Sequence, residues 1–546
     1  MKYFWPPLIG LLSLLIAVAP APAQTDASSS DSAETTQGDT GEASKPPDEL
    51  DDYYLTPDGD LVDASEAMEW SRTNRDGETH LWRALLEDGI LLGSGTLWYV
   101  LNTSVNSRDF DLDSGPSTIW KKITDLDQVR FDNNTFLFNN GWHALTSLGY
   151  YHFPRTNNFS VWSSLGIAFA FSTVWEYAFE IREKVSINDQ IVTTFAGLSM
   201  GEVTYQLGEY FNSPQSRSNT PGRVLTGLFG SPRLLHRWMD GELEDPVAEK
   251  YPQYGGDIWH RFNFWGAYDF RAGATRSDEA VTRSNGSQGA STRMVVLPGY
   301  LREGDFSTWF FDGRMTNMDF EIGFGPRGFE AIEIFAEVGL LGHHSQDIDF
   351  DGEHRDGHAV SFTLNNAYRV VHQNHDFWED QRGIVHLLGP GVRLVNFTDG
   401  LKMEAHLNAY GDFAAIRSQA YLAWRAIYGD EGIRTDLANH SYYFAWGGSL
   451  IPRLRMEYGD FALEASMVLS AYDSIDGLDR FEEEVTNQLV LTDTMVQHNV
   501  ALELPTAVDG LGLDLVYEHS RRASRIDDLR DVNNLHTLQT RISYDF

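Results

Sequence analysis

The spacing of apolar residues along the chain changes near residue 258. From about 80 to 240, apolar residues recur with the 3.6-residue period of an α-helix. Several of these segments are unusually apolar for a soluble domain. The pattern predicts five helices, at His80–Leu101, Thr135–Tyr151, Phe159–Arg182, Ser186–Phe211 and Pro221–Met239. Pro154 predicts a break in the chain after Phe153.

The segment Val161–Trp175 is the most apolar part of this region, with fifteen residues and no charge before Glu176. A helix that crosses a bilayer needs about 20 apolar residues, so we expect no free helical span here. Such a helix still needs an apolar cover. The sequence leaves three sources open, namely the neighbouring helices, the bilayer interface and the inside wall of a barrel.

From about 258 the period is two, as in β-strands. Phe262, Phe264, Tyr268 and Phe270 alternate with more polar residues, and similar runs follow to the end of the chain, including Ala420–Tyr428. Segments of about ten residues separated by polar turns are typical of membrane barrels, although a soluble β-sandwich alternates too. The pattern predicts an α+β chain, in which a helical N-terminal domain precedes an antiparallel transmembrane β-barrel of roughly 12 to 14 strands.

The last strand favours the barrel over the sandwich. Leu538, Thr540, Ile542, Tyr544 and Phe546 share one face, and the chain ends on an aromatic residue. This end is similar to the C-terminal signal that the outer-membrane barrel assembly machinery recognises. We therefore take Tyr544 and Phe546 as the assembly signal, and the assembly machinery and outer-membrane lipid as expected partners.

The N-terminus predicts export. Lys2 precedes an apolar run that ends in Ala21-Pro22-Ala23, as in a secretory signal peptide. Residues 24–52 contain nine acidic residues, one Lys and no aromatic residue, a composition that favours a disordered linker. The expected division is a signal peptide at 1–23, a linker at 24–52, a helical domain at 53–250 and the barrel at 258–546, in the outer membrane with a periplasmic N-terminal region.

Composition excludes two kinds of chemistry. The chain has no Cys, which rules out disulfides, thiolate metal sites and thiol catalysis. Its formal net charge of -38 disfavours a protein that binds nucleic-acid phosphates. The sequence also lacks a phosphate-binding Gly-Lys-Ser loop, an H-E-x-x-H motif and a G-x-S-x-G elbow, and we expect no cofactor.

Six blocks in the helical region carry a family resemblance. They are Asn139–His143, Gly149–Tyr151, Trp175–Glu180, Ser186–Asp189, Gly197–Glu202 and Ser231–Arg233. In this order they resemble a bacterial domain of unknown function, the family numbered 3943, over residues 139–240. The resemblance implies an envelope location, and it implies no reaction, because the family has no established activity.

Polar residues within apolar helices are the candidate functional groups, because burying them is costly unless they are paired. The candidate catalytic residues are His143, Glu176, Glu180 and Glu202. If they converge, they would form a divalent-metal site or an acid–base pair that acts on lipid or peptidoglycan. The alternative is a structural network that fixes the helices, with Arg155, Arg182 or Arg233 as charge partners. Its expected members are Tyr150, Ser186, Asp189 and Arg233, with Ser186 capping a helix and Asp189 reaching back to the Ser186 amide.

A weaker metal candidate is the run from Asp347 to Gly352, which begins like a calcium loop with Asp347, Asp349 and Asp351. The twelfth position is His358 where such loops have a Glu, so we interpret the run as a polar loop between strands.

Two functions follow as hypotheses. The leading one is a non-enzymatic outer-membrane barrel, with the helical domain packing against or plugging it, that serves envelope integrity or passage of a small solute. The alternative is a membrane-embedded, lipid-modifying hydrolase that uses the His and Glu residues of the helical domain.

Overall fold

The computed structural model describes most of the chain between residues 78 and 545. The described residues are 54–55, 61–62, 78–101, 116–180, 183–212, 220–241, 258–274, 280–297 and 301–545, the last with gaps at 302, 312, 314, 351–354, 376–377, 430–434, 479–488 and 509. The predicted signal peptide and linker, together with Asp351 and Phe546, lie outside them. The chain divides into two compact units, one of residues 78–206 with 256–546 and one of residues 1–77 with 207–255.

The larger unit contains a closed antiparallel β-barrel. Its strands are β1 (Ile258–Ala274), β2 (Ala280–Val296), β3 (Gly304–Phe310), β4 (Met315–Gly325), β5 (Gly328–Phe350), β6 (Arg355–His375), β7 (Trp378–Thr398), β8 (Leu401–Arg417), β9 (Tyr442–Tyr458), β10 (Phe461–Ser474), β11 (Leu491–Pro505), β12 (Leu511–Ile526) and β13 (Leu529–Asp545). Twelve of them form the ring in chain order, which closes where β13 pairs with β1. The structure confirms the predicted fold class.

The strand β3 lies outside this ring. It pairs with the second half of β5, from Gly342 to Ile348, whereas β4 pairs with the first half. Both run antiparallel to β5, so β3 and β4 are successive parts of one interrupted strand. β2 pairs with β4 but not with β3, which leaves the free edge of β3 beyond the end of β2.

Side chains alternate between the lumen and the outer wall. On β13, Leu538, Ile542 and Tyr544 are exposed on the outer wall, whereas Gln539 and Arg541 line the lumen. The other strands continue this pattern, which gives the outer wall a belt of apolar side chains. Its exposed members include Phe264, Tyr268, Phe270, Phe362, Leu394, Leu407, Leu450, Leu454, Leu513 and Leu515. An apolar outer face with a polar interior is typical of a barrel that contacts lipid.

The predicted helices occur in the predicted order, but the helix Pro116–Thr124 was not predicted and the predicted helix Pro221–Met239 is divided into two. The observed helices are α1 (Leu81–Leu101), α2 (Pro116–Thr124), α3 (His143–Thr156), α4 (Val161–Val174), α5 (Ile187–Phe211), α6 (Thr220–Phe229) and α7 (Ser231–Asp240). The predicted break after Phe153 is wrong, because Pro154 lies in the last turn of α3, where the helix needs few further backbone bonds. No helix in the described part of the chain is both long and apolar enough to cross a bilayer.

The helices that precede the barrel in the larger unit pack on its outside. Beside them, the Phe131 ring lies 4.6 Å from that of Phe444 on β9 and 6.1 Å from that of Phe413 on β8, measured between centroids. Phe413 alternates with Ala414, which faces the lumen. The contacts of these helices therefore correspond to packing against the outer wall.

One end of the lumen holds a short helix that sequence reasoning interpreted as a strand. The run Ala420–Tyr428 belongs to α8 (Gln419–Tyr428), which precedes α9 (Asp436–His440) between β8 and β9. Tyr421 and Trp424 of α8 pack with residues from both sides of the barrel, including Ile384 on β7 and Ile526 on β12. Ala420, Tyr421 and Trp424 are buried on one helical face, and a short apolar run of this kind fits either period.

The smaller unit contains the end of α5, with α6 and α7. The Thr226 hydroxyl donates to the carbonyl of Phe211, and Arg233 forms an ion pair of 3.0 Å with Glu209. Gly241 ends α7 in the left-handed conformation.

Candidate functional site

Two π-helical turns and the start of α5 bring polar side chains together inside the larger unit. Phe138–Trp142 is a π-helical turn that leads into α3, and Trp175–Phe179 is a second one that ends α4. Such turns are rare and frequently occur at functional sites. They contribute to what we call the buried polar cluster, which consists of Asp132, Asn139, His143, Glu176, Glu180, Ser186, Asn188 and Asp189.

Hydrogen bonds connect these residues. The Asn188 side-chain oxygen accepts from the Asp132 amide at 2.9 Å and from the Ser186 hydroxyl at 2.9 Å. The Asn188 side-chain nitrogen donates to Asp189 at 2.9 Å. His143 Nε2 lies 3.5 Å from Asp189 Oδ2. The cluster therefore joins the segment before the first π-helical turn to the first turn of α5.

The helix cap at Ser186 forms differently from the prediction. Ser186 Oγ accepts from the Asp189 amide at 3.3 Å, as expected of a capping residue. The Ser186 amide donates to Glu176 Oε2 at 2.8 Å, so Glu176 and not Asp189 makes the second bond of the cap. Glu176 thereby connects α4 to α5.

A buried lysine also contacts the second π-helical turn. Lys122 on α2 donates from Nζ to the carbonyl oxygens of Glu176 at 2.6 Å and Glu180 at 2.7 Å. These carbonyls lie at the end of α4, where the backbone leaves acceptors unpaired and where positive charge is favourable.

Burial sets the charge of the cluster. It raises the pKa of Glu176 to about 8; the Ser186 amide and Lys122 oppose this shift, and Asp132 and Glu183 add to it. Burial and neighbouring carboxylates raise the pKa values of Glu180 and Asp189 well above their usual range. Burial lowers the pKa of His143, and Asp132 opposes that shift. At neutral pH the Glu176 carboxyl therefore holds its proton, and burial favours the uncharged forms of Glu180, Asp189 and His143.

The barrel wall completes the cluster. The Tyr442 hydroxyl on β9 donates to the Asn134 carbonyl at 2.7 Å and accepts from the Asn139 side chain at 3.1 Å. On the neighbouring segment, Ser199 of α5 donates to Asn366 of β6 at 2.6 Å. The cluster is therefore fixed between the helices and the outer wall, on the side away from the lumen.

Of the four candidate catalytic residues, three lie in the cluster and Glu202 does not. Glu202 is fully buried and pairs with Arg155, at 2.7 Å and 3.0 Å, and it accepts from the Tyr151 hydroxyl at 2.8 Å. This ion pair corresponds to the structural network that the sequence analysis gave as the alternative to a catalytic site. Tyr150 stacks on Phe171 in the neighbouring apolar core.

The remaining predicted residues lie elsewhere. Arg233 belongs to the smaller unit. Asp347 and Asp349 lie on β5, paired with His358 and Asp356 of β6, and Tyr544 is exposed on the outer wall. Within the described ranges, no three His, Asp or Glu side chains are arranged to hold a metal ion.

Sequence reasoning missed Asp132, Asn188, Lys122 and Tyr442. Asn139 and Asn188 stand in the family blocks, which marked them without indicating a role. Nothing in the local sequence connects Tyr442, which lies 303 residues from Asn139, to the cluster.

The lumen contains a second polar arrangement, made of ion pairs that cross it. Near the end where β1 starts, Arg293 of β2 pairs with Glu464 of β10 at 2.6 Å, and Arg453 of β9 pairs with Asp319 of β4 at 2.6 Å. We call these four residues the lower bridge. β2 and β10 are separated by four strands in one direction around the ring and six in the other, so the pairs span the lumen.

The upper bridge lies towards the other end and consists of Asp380, Arg382, Asp493 and Arg522. Arg522 of β12 bonds to Asp380 of β7 and, at 3.0 Å, to Asp493 of β11. Arg382 lies 2.9 Å from Asp380. A cavity of about 350 Å³ surrounds the lower bridge and is lined by charges of both signs, including Arg369, Glu333 and Glu518.

These elements define a closed β-barrel with the preceding helices of the larger unit on its outer wall. Residues 128–231 match the family model described as "Domain of unknown function (DUF3943)". The match confirms the resemblance that the sequence motifs predicted, and the family description names no activity. No curated protein matches the chain.

Several solved structures resemble this chain at low identity. The translocator domain of the autotransporter NalP from Neisseria meningitidis is 10% identical, with 57% of this chain and 96% of that chain covered and a TM-score of 0.18. A Pseudomonas aeruginosa FadL homologue is 9% identical, with 55% of this chain and 94% of that chain covered and a TM-score of 0.19. The outer membrane channel DcaP of Acinetobacter baumannii is 11% identical, with 53% of this chain and 97% of that chain covered and a TM-score of 0.19. At such TM-scores these likenesses carry no argument, and the barrel rests on its own strand pairing.

Proposed function

We propose that this protein is an outer-membrane barrel that contributes to envelope integrity as a closed membrane anchor for its helical domain. The observation that carries the proposal is the pair of ion-pair bridges across the lumen. The apolar belt of the outer wall supports insertion into a bilayer, because it would otherwise face water. The family resemblance supports a location in the cell envelope.

The bridges argue against an open channel. A solute that passed along the lumen would have to separate Arg293 from Glu464 and Arg522 from Asp380. Separating either pair would leave charges inside the barrel without their partners, which is unfavourable. At the upper end α8 adds an apolar cover, so three layers close the lumen.

Membrane insertion and conductance test the two parts of this proposal separately. The chain is expressed in a Gram-negative host, and its membrane fraction and its heat-modifiable migration on gels are measured. We expect outer-membrane recovery with a shift on heating, and no stepwise conductance when the purified protein is added to planar bilayers. A soluble periplasmic protein without a shift would end the membrane assignment. A steady conductance would instead establish passage of small solutes.

Export and assembly belong to the same proposal. The N-terminal signal would place residues after 23 in the periplasm, and the assembly machinery would recognise the C-terminal signal that contains Tyr544 and Phe546. We expect removal of Phe546 to impair outer-membrane insertion more than removal of residues 26–50, because Phe546 directly follows β13, the strand that closes the barrel. Equal insertion defects would contradict this expectation.

A second candidate function is lipid modification, favoured by the presence of His143 and Glu176 in one buried cluster beside the outer wall. A neutral imidazole and a protonated carboxyl can exchange protons with a substrate. The hydroxyl of Ser186 is directed at Asn188 and not at His143, so the described cluster presents no activated hydroxyl nucleophile.

Lipid analysis distinguishes this candidate from the anchor. A deletion strain is complemented with wild type, with Glu176→Gln, or with Asp460→Asn, which changes an exposed carboxylate in the turn before β10. An altered acyl or headgroup pattern that wild type and Asp460→Asn restore, but Glu176→Gln does not, would establish the enzyme. An unchanged pattern in the deletion strain would exclude it.

A further inference from the structure

The helix α1 has two apolar faces, and only one of them is covered. Ala84, Asp88 and Leu92 are buried on the side that packs towards α3. On the opposite side a stripe of large apolar residues is exposed, from 81% at Trp82 to 55% at Ile90, and it has helical spacing. Its members are Trp82, Leu86, Ile90, Leu97 and Leu101.

The helix α4 adds to this surface. Trp162 and Phe169 are about half exposed, and the other exposed positions of α4 are Ser, Gly, Ala and Val. Across α1 and α4, no exposed position carries a charge. We call the exposed apolar residues of the two helices the helical apolar face, made of Trp82, Leu86, Ile90, Leu97, Leu101, Trp162 and Phe169.

The charged residues of α1 are turned away from the exposed stripe. Arg83 donates from Nε to the side-chain oxygen of Asn157, whose nitrogen donates to Glu87 at 2.7 Å. Burial raises the pKa of Asp88 to about 9, with a contribution from Glu87, so this carboxyl is uncharged at neutral pH. A helix surface without charges suits a lipid environment, because a charged side chain is costly in contact with acyl chains.

The helical apolar face is physically continuous with the belt of the barrel. Trp162 donates from Nε1 to the carbonyl of Phe311 at 3.1 Å, in the interruption between β3 and β4. Phe311 and the nearby Trp309 are exposed, and Trp309 pairs with His343, which pairs with the exposed belt residue Phe362. Exposed aromatic residues therefore lie between the belt of the barrel and α4.

We propose that the helical apolar face lies in the bilayer and is covered by lipid acyl chains beside the belt of the barrel. This proposal rests on the membrane location proposed above. A protein partner fits less well, since protein interfaces carry a polar rim and these two helices expose no charge. Helices that lie along a membrane surface present an apolar face with Trp, Phe and Leu, as here. The bilayer is thus the cover among the three that the sequence left open.

Single-cysteine labelling tests the proposal, because the chain has no native Cys. Bimane is attached to Leu86→Cys and Phe169→Cys, to Leu515→Cys on the belt, and to Asp528→Cys in the exposed turn before β13. The variants are reconstituted in phosphatidylcholine vesicles with and without brominated acyl chains. We expect the labels at 86, 169 and 515 to be quenched several-fold more strongly than the label at 528.

The outcomes separate the two proposals. Quenching at 515 but not at 86 and 169 would overturn the lipid contact of the helices and leave the membrane barrel intact. No quenching at any position would overturn both. Efficient disulfide formation between Leu86→Cys copies in the vesicles would show that a second copy covers this face, and would also overturn the proposal. Heat-modifiable migration verifies that each variant folds, and Ile90→Cys on the same stripe replaces Leu86→Cys if that variant does not.

Discussion

The Glu176 carboxyl lies where its charged form is poorly solvated, and this makes its protonation a stability term. The pKa of Glu176 is about 8 in the folded chain, whereas the ordinary value for Glu is 4.5. Between pH 4.5 and 8 the folded chain therefore binds a proton that the unfolded chain has lost. Stability therefore falls as the pH rises from about 4.5 to about 8. Glu180 and Asp189 shift in the same direction.

We predict that Glu176→Gln reduces this pH dependence, because glutamine keeps an acceptor for the Ser186 amide and has no proton to lose. Thermal unfolding of the detergent-solubilised protein, followed by helical circular dichroism across this pH range, measures it. Glu180, Asp189 and Asp88 contribute to the slope that remains. Asp460→Asn serves as the exposed control. A Glu176→Gln slope equal to that of wild type would mean that Glu176 is solvated.

Glu202 is the residue whose removal should cost most in the helical region. We predict that Glu202→Ala destabilises the chain by about 3 to 5 kcal/mol, because it leaves the buried guanidinium of Arg155 without its partner. The exposed control Asp460→Ala should change stability by less than about 0.5 kcal/mol. Urea unfolding of both variants provides the measurement. Equal midpoints would show that Arg155 finds solvent or another carboxylate.

The residues of the site were only partly predictable, for physical reasons. Glu176 follows a long uncharged stretch, so its burial was readable from the sequence. The separation of Glu202 from His143 was not, because it depends on how α3 and α5 rotate about their axes. Asp132 and Asn188 meet only after the chain folds back, and no local pattern encodes that meeting.

At the scale of elements, the contact between α3 and α5 depends on two glycines one helical turn apart. A Cβ on Gly197 would lie 2.9 Å from the carbonyl oxygen of Ser147, and one on Gly201 would lie 2.5 Å from the Tyr151 ring. The absence of side chains lets the two helix backbones approach closely, as in small-residue packing between apolar helices.

We predict that Gly197→Val destabilises the helical domain by about 1 to 3 kcal/mol through overpacking. Gly93→Ala is the matched control in α1, where a Cβ would meet nothing within 4 Å. That change should be neutral or stabilise by up to about 1 kcal/mol, since alanine favours helix more than glycine. Thermal unfolding compares them. A Gly197→Val variant as stable as wild type would show that the helices can separate at low cost.

Strands and helices with clear periods were predictable, and those with mixed patterns were not. The strand β2 has no clear apolar alternation, because Ser, Gly, Thr and Gln occupy eight of the 17 positions of Ala280–Val296. The prediction of a strand at Ala420–Tyr428, where the structure has α8, was wrong for the opposite reason, since this apolar run fits both periods. In both cases the surface on which the segment packs determines whether it forms a strand or a helix, and other strands supply that surface.

At the scale of the whole molecule, the proposed closure of the lumen rests on charges supplied by strands from both sides of the ring. We predict that Arg293→Ala and Arg453→Ala together weaken the lower bridge, and that adding Arg522→Ala raises the conductance in planar bilayers above that of wild type. Arg530→Ala, an exposed change on β13, is the control and should leave conductance unchanged.

Folding must be verified for the triple variant by its heat-modifiable migration. A folded triple variant that conducts no more than wild type would show that the ion pairs do not close the lumen. The apolar packing of α8 with Ile384 and Ile526 would then be the remaining barrier.

The attachment of the helices to the outer wall also constrains the order of events during biogenesis. Asn140 bonds to Tyr368, 228 residues later, and Asn139 bonds to Tyr442, 303 residues later. Contacts of such sequence separation form slowly, because a long loop must close before they stabilise anything. The helical segment is synthesised first, yet the surface that it packs on is completed only when β9 has arrived. During that interval the apolar side of the helices has no barrel wall to cover it, which favours aggregation until the middle strands dock.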